Sequence, residues 1–471
     1  MATTIRPSYE RPLITRQQLG TIDKQWSGWS HPVNTETVID GVNVNAIRAQ
    51  FGSPLYVVSE ATLRSNYRAF VTAFRSRYPE TAVAYSYKTN YLSGICTILH
   101  QEGAWAEAVS GFEMELAQSL GVPGRQIVYN GPWKPFDYLL SAARMGARIN
   151  IDSLEELYDL EEVARQLGRR IGIGIRVNMA VNDPPWDKFG FNLESGQALD
   201  VCRKIQGSQR LRLTGFHLHA GTYLTQADIY NRAVMGLLDL ARAVESKLRA
   251  EIEYLDLGGG YASRNTLHGQ LLPGELTVPS FDEYAEAICG PLKAAARGLK
   301  RRPQLILEPG RALVDEAVSL LVSVVSVKSM VGGKKGVVVD GGVNLIPSAY
   351  YFRHEVVALR EGDGPAESVD LYGPLCMQID VIRRDVMLPP MQRGGILLVK
   401  NAGAYTISNS MQFIYPRPAT VLVSEGKLHC LRRAEATQDL VRLDEIPPHL
   451  ARRSRNGHQK RGIRRRLQRG R

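Results

Sequence analysis

At 471 residues the chain is too long for one small core, so two domains are expected, the larger long enough for a full α/β barrel. A composition of 44% hydrophobic and 22% charged residues excludes a collagen-like or wholly disordered chain. The formal charge of +11 gives no argument for a nucleic-acid partner, because ten Lys and Arg residues and no acid stand in 452–471, leaving only +1 for the rest.

The N-terminal MATTIRPSYERPLITRQQLG lacks the apolar core of a secretory signal, and no run reaches the roughly 18 apolar residues of a membrane span. Five scattered cysteines (Cys96, Cys202, Cys289, Cys376, Cys430) form no CxxC pair. That usage fits a reducing cytoplasm and gives neither a zinc knuckle nor a disulfide framework. A cytoplasmic protein away from membranes is the expectation.

Residues 1–54 are short and mixed in character, and part of them is expected to join a later β domain. Across residues 55–312, β-rich runs alternate with helical patterns such as FEMELAQSL and SLEELYDLEEVARQL. The runs are VAYSY (83–87), AWAEAV (104–109), IVYN (127–130), ARINID (147–152), IGIGIRVN (171–178), LTGFHLHA (213–220), IEYLDLG (252–258) and QLILEP (304–309). Eight of them predict a (β/α)8 barrel of the TIM type rather than an open Rossmann sheet. Residues 313–436 turn to β-branched runs broken by Gly, Pro and Asp (VVVDGG, VDLYGP, GILLVKNAGAY, ATVLV), which predicts a mainly β domain. Residues 437–471 end in the basic tail, read as a solvated, disordered extension.

Barrel enzymes draw catalytic groups from the C-terminal ends of several strands. Here those ends present Lys88, Ser110 with Glu113, Asn130, Asp152, Arg176 with Asn178, His219 with Thr222, Gly258-Gly259-Gly260, and Glu308 with Arg311. Lys88 closes the apolar YSYKTN, where an ammonium must snorkel to solvent, pair, or become a neutral imine with an aldehyde cofactor. The glycines of LDLGGGYA let backbone N–H groups approach a phosphate, and EPGR follows one strand later, where barrels commonly bind phosphate. Their spacing is not that of a dinucleotide fingerprint. Glu308 needs a partner, either Arg311 or Arg176 in a salt bridge, or a protonated pyridine nitrogen whose ring would then act as a strong electron sink. His217 and His219 in GFHLHAG would share one side of a regular strand. With nine histidines and no other cluster of ligand spacing, they are not read as a metal pair.

Taken together, YSYKTN, EAVSGFE, YNGPWK, INIDSLEEL, RVN, KFGF, GFHLHAGT, LDLGGGYA, ILEPGRAL, VDGGVN, YGPLCMQID and NAGAY resemble the fold-type III pyridoxal-5′-phosphate (PLP) decarboxylases. This is the group of diaminopimelate, ornithine and biosynthetic arginine decarboxylases, and the pattern is nearest the diaminopimelate enzymes. The resemblance runs from residue 51 to 423 and implies an alanine-racemase-like barrel with a β domain, PLP on Lys88, and a homodimer with shared active sites. It implies that His219 lies on the cofactor ring and Glu308 pairs with its nitrogen. Arg176, Thr222 (in place of the usual serine), Gly258, Gly259, Gly260, Arg311 and Tyr405 would complete the cofactor contacts. Cys376 would reach across from the second subunit to return a proton after CO2 leaves, and Arg311, Tyr350, Met377 and Tyr405 would face the substrate.

Two positions depart from the diaminopimelate pattern. Met377 follows the cysteine where an acidic residue usually meets a distal amino group, and Ile346 in NLIPSAYY stands where an Arg usually grips the distal carboxylate. Each lost charge-assisted contact is worth roughly 1.5–3 kcal/mol. The expectation is therefore a decarboxylase of a modified or carrier-linked amino acid, with diaminopimelate itself, or racemisation on the related fold, as alternatives. The racemases usually set Arg against the pyridine nitrogen, so Glu308 speaks against them.

Overall fold

The computed structural model describes residues 37–359 and 365–450. Most of the basic tail lies outside the described residues, as does the start of the N-terminal segment. Thr437–Val441, where the tail was expected to begin, is a short exposed helix.

All eight β-rich runs form parallel strands. They are β1 (Thr81–Ser86), β2 (Trp105–Ala108), β3 (Ile127–Tyr129), β4 (Arg148–Ile151), β5 (Ile171–Asn178), β6 (Leu211–His217), β7 (Tyr254–Asp256) and β8 (Gln304–Leu307). Each pairs with the next, and β8 returns to β1 through Leu305 opposite Thr81, so the barrel closes. Every residue of β1 is buried, as expected of a strand covered on both faces. The helix Glu60–Arg75 buries Leu63, Tyr67, Phe70 and Phe74 at three- and four-residue spacing, which turns one stripe to the barrel and leaves its charges outside.

Several strand-end residues have a local structural duty. The Ser110 hydroxyl caps the helix Gly111–Ser119 by accepting the Glu113 N–H, and Ser153 does the same for Leu154–Leu167 through Glu156. Two strands stop earlier than their apolar runs. β1 ends at Ser86, placing Lys88 in a single 3-10 turn, and β6 ends at His217, leaving His219 in the loop beyond.

The second domain is a mainly β sheet built around Val318–Ser329, with Lys335–Val339, Glu367–Tyr372 and Val381–Leu388 on one side. Leu55–Ser59 lies antiparallel to Val318–Ser329 and parallel to Thr420–Ser424. The boundary drawn at residue 55 thus falls ahead of a strand that belongs to this sheet: LYVVS is apolar throughout and reads like a barrel strand, and only its pairing assigns it. Val44 and Ile47 of the preceding helix pack with Leu55, Leu321 and Leu398. Among the described residues no helix is long and apolar enough to cross a membrane.

Asp315 and the NAGAY loop join the two domains at the barrel mouth. The Asp315 carboxylate accepts the Ala404 N–H (3.1 Å) and the Asn265 amide (2.9 Å). The Tyr405 N–H donates to the Thr89 carbonyl (2.9 Å) and the Asn90 amide to the Gly403 carbonyl (3.0 Å). These bonds bring Tyr405, from the β domain, next to Lys88 in the barrel.

Candidate active site

One cleft at the C-terminal end of the barrel collects Lys88, His219, Thr222, Gly259, Gly260, Glu308, Arg311 and Tyr405, with Ser86, Tyr223 and Gly310 between them. A wider surface depression lies elsewhere, between the helix Glu60–Arg75 and the segment around Ala262–Glu283. It contains none of the convergent chemistry.

Lys88 does not simply snorkel. Its Nζ donates to Glu107 (2.5 Å) and to Ser86 Oγ (2.7 Å), and Ser86 donates to the same Glu107 oxygen (2.6 Å). Burial works to lower the Lys88 pKa, but Glu107, Tyr405 and Glu308 outweigh it and hold the ammonium above its ordinary value. Glu107 is 1% exposed, so its negative charge is matched by Lys88.

Glu308 takes neither arginine expected as its salt-bridge partner. Arg311 faces Asp315 at 3.7 Å, and Arg176 faces Asp152 at 3.8 Å with its guanidinium over Phe189. Glu308 instead accepts the Asn130 amide (2.6 Å) and has His217 Nε2 at 3.4 Å. Burial pushes Glu308 up, while the neighbouring His217, Lys88 and Asp256 hold it below the ordinary carboxylate range. Asp256 goes the other way, raised well above its usual value by burial and by Glu308.

His219 accepts the Gly259 N–H on Nδ1 (2.9 Å), which assigns its proton to Nε2. Burial and the cations Arg176 and Lys88 keep the ring neutral. The edge of Trp186 meets it, with ring centroids 5.1 Å apart.

The glycine run is more selective than its sequence suggests. The Gly258 N–H is spent on Asp256 Oδ1 (3.0 Å) and the Gly259 N–H on His219, so two of the three N–H groups expected for a phosphate already have acceptors. Close approach explains the glycines themselves. A Cβ on Gly259 would lie 2.5 Å from the Glu308 carbonyl, and one on Gly260 (φ +105°) 2.5 Å from the Gly221 carbonyl. Arg311 has a buried Nη1 without a hydrogen-bond partner among the described residues, while its guanidinium lies over Phe352 (4.8 Å) and Tyr405 (5.2 Å). A guanidinium with an open N–H beside Gly259, Gly260 and Thr222 suits a phosphate, a lysine with a proton acceptor suits an aldehyde, and a buried anionic carboxylate suits a pyridinium. The residues present fit PLP.

Within this chain Tyr350, Cys376 and Met377 are not brought to the cleft. Cys376 is exposed, Tyr350 is 41% exposed, and Met377 packs partly against the core. Ile346 is fully buried among apolar side chains. Sequence reasoning missed Glu107, Ser86, Asp256 and Tyr223. An acid inside the apolar runs AWAEAV and IEYLDLG was the available signal, since a buried carboxylate requires a partner.

The family described as "Pyridoxal-dependent decarboxylase, pyridoxal binding domain" matches residues 61–315. The chain belongs to this family. Diaminopimelate decarboxylases from Methanothermobacter thermautotrophicus and Bacillus subtilis are 33% and 30% identical to it, over 88% and 86% of this chain and 97% and 94% of theirs. The solved diaminopimelate decarboxylase of Methanocaldococcus jannaschii in co-complex with L-lysine superposes with a TM-score of 0.81 at 31% identity, covering 88% of this chain and 96% of that one. A lysine/ornithine decarboxylase of Vibrio vulnificus shares the fold, with a TM-score of 0.69 at 24% identity, over 81% of this chain and 97% of that one. The protein is a PLP-dependent carboxy-lyase with a TIM-type barrel and a mainly β second domain, acting in amino-acid metabolism.

Proposed function

We propose that this decarboxylase removes CO2 from Cα of diaminopimelate, and that it does so as a homodimer. The observation that carries the substrate is the relationship itself: relatives about 30% identical or more across nearly the whole chain are diaminopimelate decarboxylases. PLP, when bound, would supply an aldehyde for the Lys88 amine and a ring able to draw off the electron pair of the broken Cα–carboxylate bond.

The chain's own residues have separable tasks. Glu107 sits 2.5 Å from Lys88 Nζ, where it can take the proton that must leave before the amine attacks a carbonyl. Glu308, held anionic, would accept a ring N–H and so favour loss of CO2. His219 would offer a neutral ring face, Arg311 would neutralise phosphate charge, and Tyr405 would close that end of the cleft. Cys376 is a thiol able to return a proton to Cα from a second subunit. The exposed apolar side chains Tyr351, Ile379, Ile414 and Tyr415 of the same domain support the homodimer.

A second reading keeps the reaction and changes the substrate to an amino acid with a masked or carrier-linked distal end. Met377 and the fully buried Ile346 favour it, because neither supplies the charge expected for a distal ammonium or carboxylate. CO2 release from a panel containing meso-diaminopimelate, lysine, ornithine, and N-acyl and thioester-linked amino acids separates the readings. Rapid turnover of meso-diaminopimelate establishes the first. Turnover confined to masked substrates establishes the second.

A further inference from the structure

Three neighbouring strand ends bring His217, Asp256 and Glu308 together: His217 closes β6, Asp256 closes β7, and Glu308 follows β8. They are 1%, 0% and 4% exposed, and one ligating atom of each lies within 4.8 Å of the others. Two ionised carboxylates so close in a dry volume repel strongly, so the pair holds a proton. Its place follows from the hydrogen bonds. Asp256 Oδ1 already accepts the Gly258 N–H, while Oδ2 is buried and has no donor to it among the described residues. An ionised Oδ2 would be an unpaired buried charge; a protonated one donates to Glu308 and removes the defect.

We propose that Asp256, as a neutral carboxylic acid, and His217, whose buried Nε2 lies 3.4 Å from Glu308 and has no hydrogen-bond partner among the described residues, are positioning residues that turn their donors to Glu308 and hold it as the anion facing the cofactor's ring nitrogen. The assignment rests on the reading of Glu308 as that nitrogen's partner. Asp256 and His217 act through Glu308 and need not touch the substrate. Asn130 completes the set from across the barrel: its amide nitrogen donates to Glu308, and its oxygen accepts the Asn150 amide. The raised Asp256 and the lowered Glu308 agree with one proton resting on Asp256. The other titratable groups around the cluster are Lys88, Glu107, Arg148, Arg176, His219, Tyr254 and Tyr261. A divalent cation is the competing occupant of the same three side chains. The N–H groups of Asn130 and Gly258 each occupy a carboxylate oxygen, and Lys88 and Arg176 add positive charge, which leaves the site poorly suited to a metal.

The test uses the full-chain protein, stripped and reloaded with PLP or with its deaza analogue, whose ring carries C–H in place of the nitrogen. Dissociation constants for the two are measured by fluorescence in the native protein and in Asp256→Asn, Asp256→Leu, His217→Phe and Glu308→Gln, with folding checked by thermal melting. Native protein is expected to prefer PLP by about tenfold or more, as for a charge-assisted hydrogen bond. Asp256→Asn keeps an N–H donor toward Glu308 and should retain that preference to within about twofold, whereas Asp256→Leu and His217→Phe should each lower it by at least about threefold. A general packing defect would weaken both ligands alike and leave the ratio unmoved.

If Asp256→Asn loses the preference as fully as Asp256→Leu, Asp256 is not a neutral donor and the proposal fails. It also fails if His217→Phe and Asp256→Leu leave the ratio native, or if the purified protein carries one equivalent of metal that chelation removes. Equal ratios in native protein and Glu308→Gln are distinguishable from these failures, since they refute Glu308 as the ring's partner. Should Asp256→Leu fail to fold, the Asn and Phe variants still decide.

Discussion

The two domains contribute to catalysis in different states of completeness. At the barrel mouth most charged groups are answered within one chain, Lys88 by Glu107, Glu308 by Asn130 and Asp315 by the NAGAY loop, while one Arg311 N–H stays open toward the cleft. On the β domain, Cys376 and Tyr350 are exposed and lie outside the cleft, and Met377 packs partly against the core. The Asp380 carboxylate ties their loops to each other by accepting the Val343 and Leu375 N–H groups (2.8 Å each), so these segments are built and pinned rather than loose. The barrel therefore holds most of the groups gathered in the cleft, with Tyr405 added from the β domain, and in the proposed homodimer the rest of the β domain would present Cys376 to a second copy.

The sharpest way to break that comparison is to remove one residue from each half. Lys88→Ala should lower CO2 release by at least on the order of 10³-fold and abolish borohydride trapping of the cofactor on the chain. Cys376→Ala should lower turnover by about 10²-fold while leaving the cofactor's visible absorption unchanged. Mixed, the two inactive proteins should recover about one quarter of native activity, because half of the random dimers carry one intact site. Failure to recover any activity, with subunit exchange verified, would show that Lys88 and Cys376 do not work across an interface.

A smaller effect sharpens the substrate side. Met377→Glu should raise kcat/KM for substrates with a free distal ammonium by about tenfold and leave masked substrates unimproved, as one new charge-assisted contact would. No change for either class would mean that residue 377 does not face the substrate.

The barrel half was also the more legible in the sequence, for a physical reason. Strand ends in a closed barrel converge whatever the loops do, so Lys88, His219, Glu308 and Arg311 could be gathered from their positions alone. Partners were harder, because they depend on side-chain direction: of the two readings of Glu308, the salt bridge to Arg176 or Arg311 is not formed, and its carboxylate meets Asn130 and His217 beside the cleft. Glu107 and Asp256 were hidden inside runs read only for their apolar neighbours. Leu55–Ser59 was assigned to the wrong domain because an apolar run states that it is covered and not by what. Ile346 was read by its place in a motif, and burial shows its side chain in the core.

The crowding of carboxylates at the barrel mouth has a stability cost, and one substitution outside the cleft exposes it. Glu113 is buried behind Glu107, with its carboxylate accepting the Val109 N–H at 2.6 Å, and burial together with Glu107 pushes its pKa from 4.5 up to about 7. Between those two values the folded protein keeps a proton that the unfolded chain releases, so stability falls as pH rises through that window and levels off above it. The shift corresponds to a loss on the order of 3 kcal/mol between pH 4 and 8. Glu113→Gln keeps an oxygen for Val109 and removes the titration. Its Tm should therefore gain on native protein between pH 5 and 8, while a constant difference between the two across that range would mean that Glu113 is already ionised in the fold.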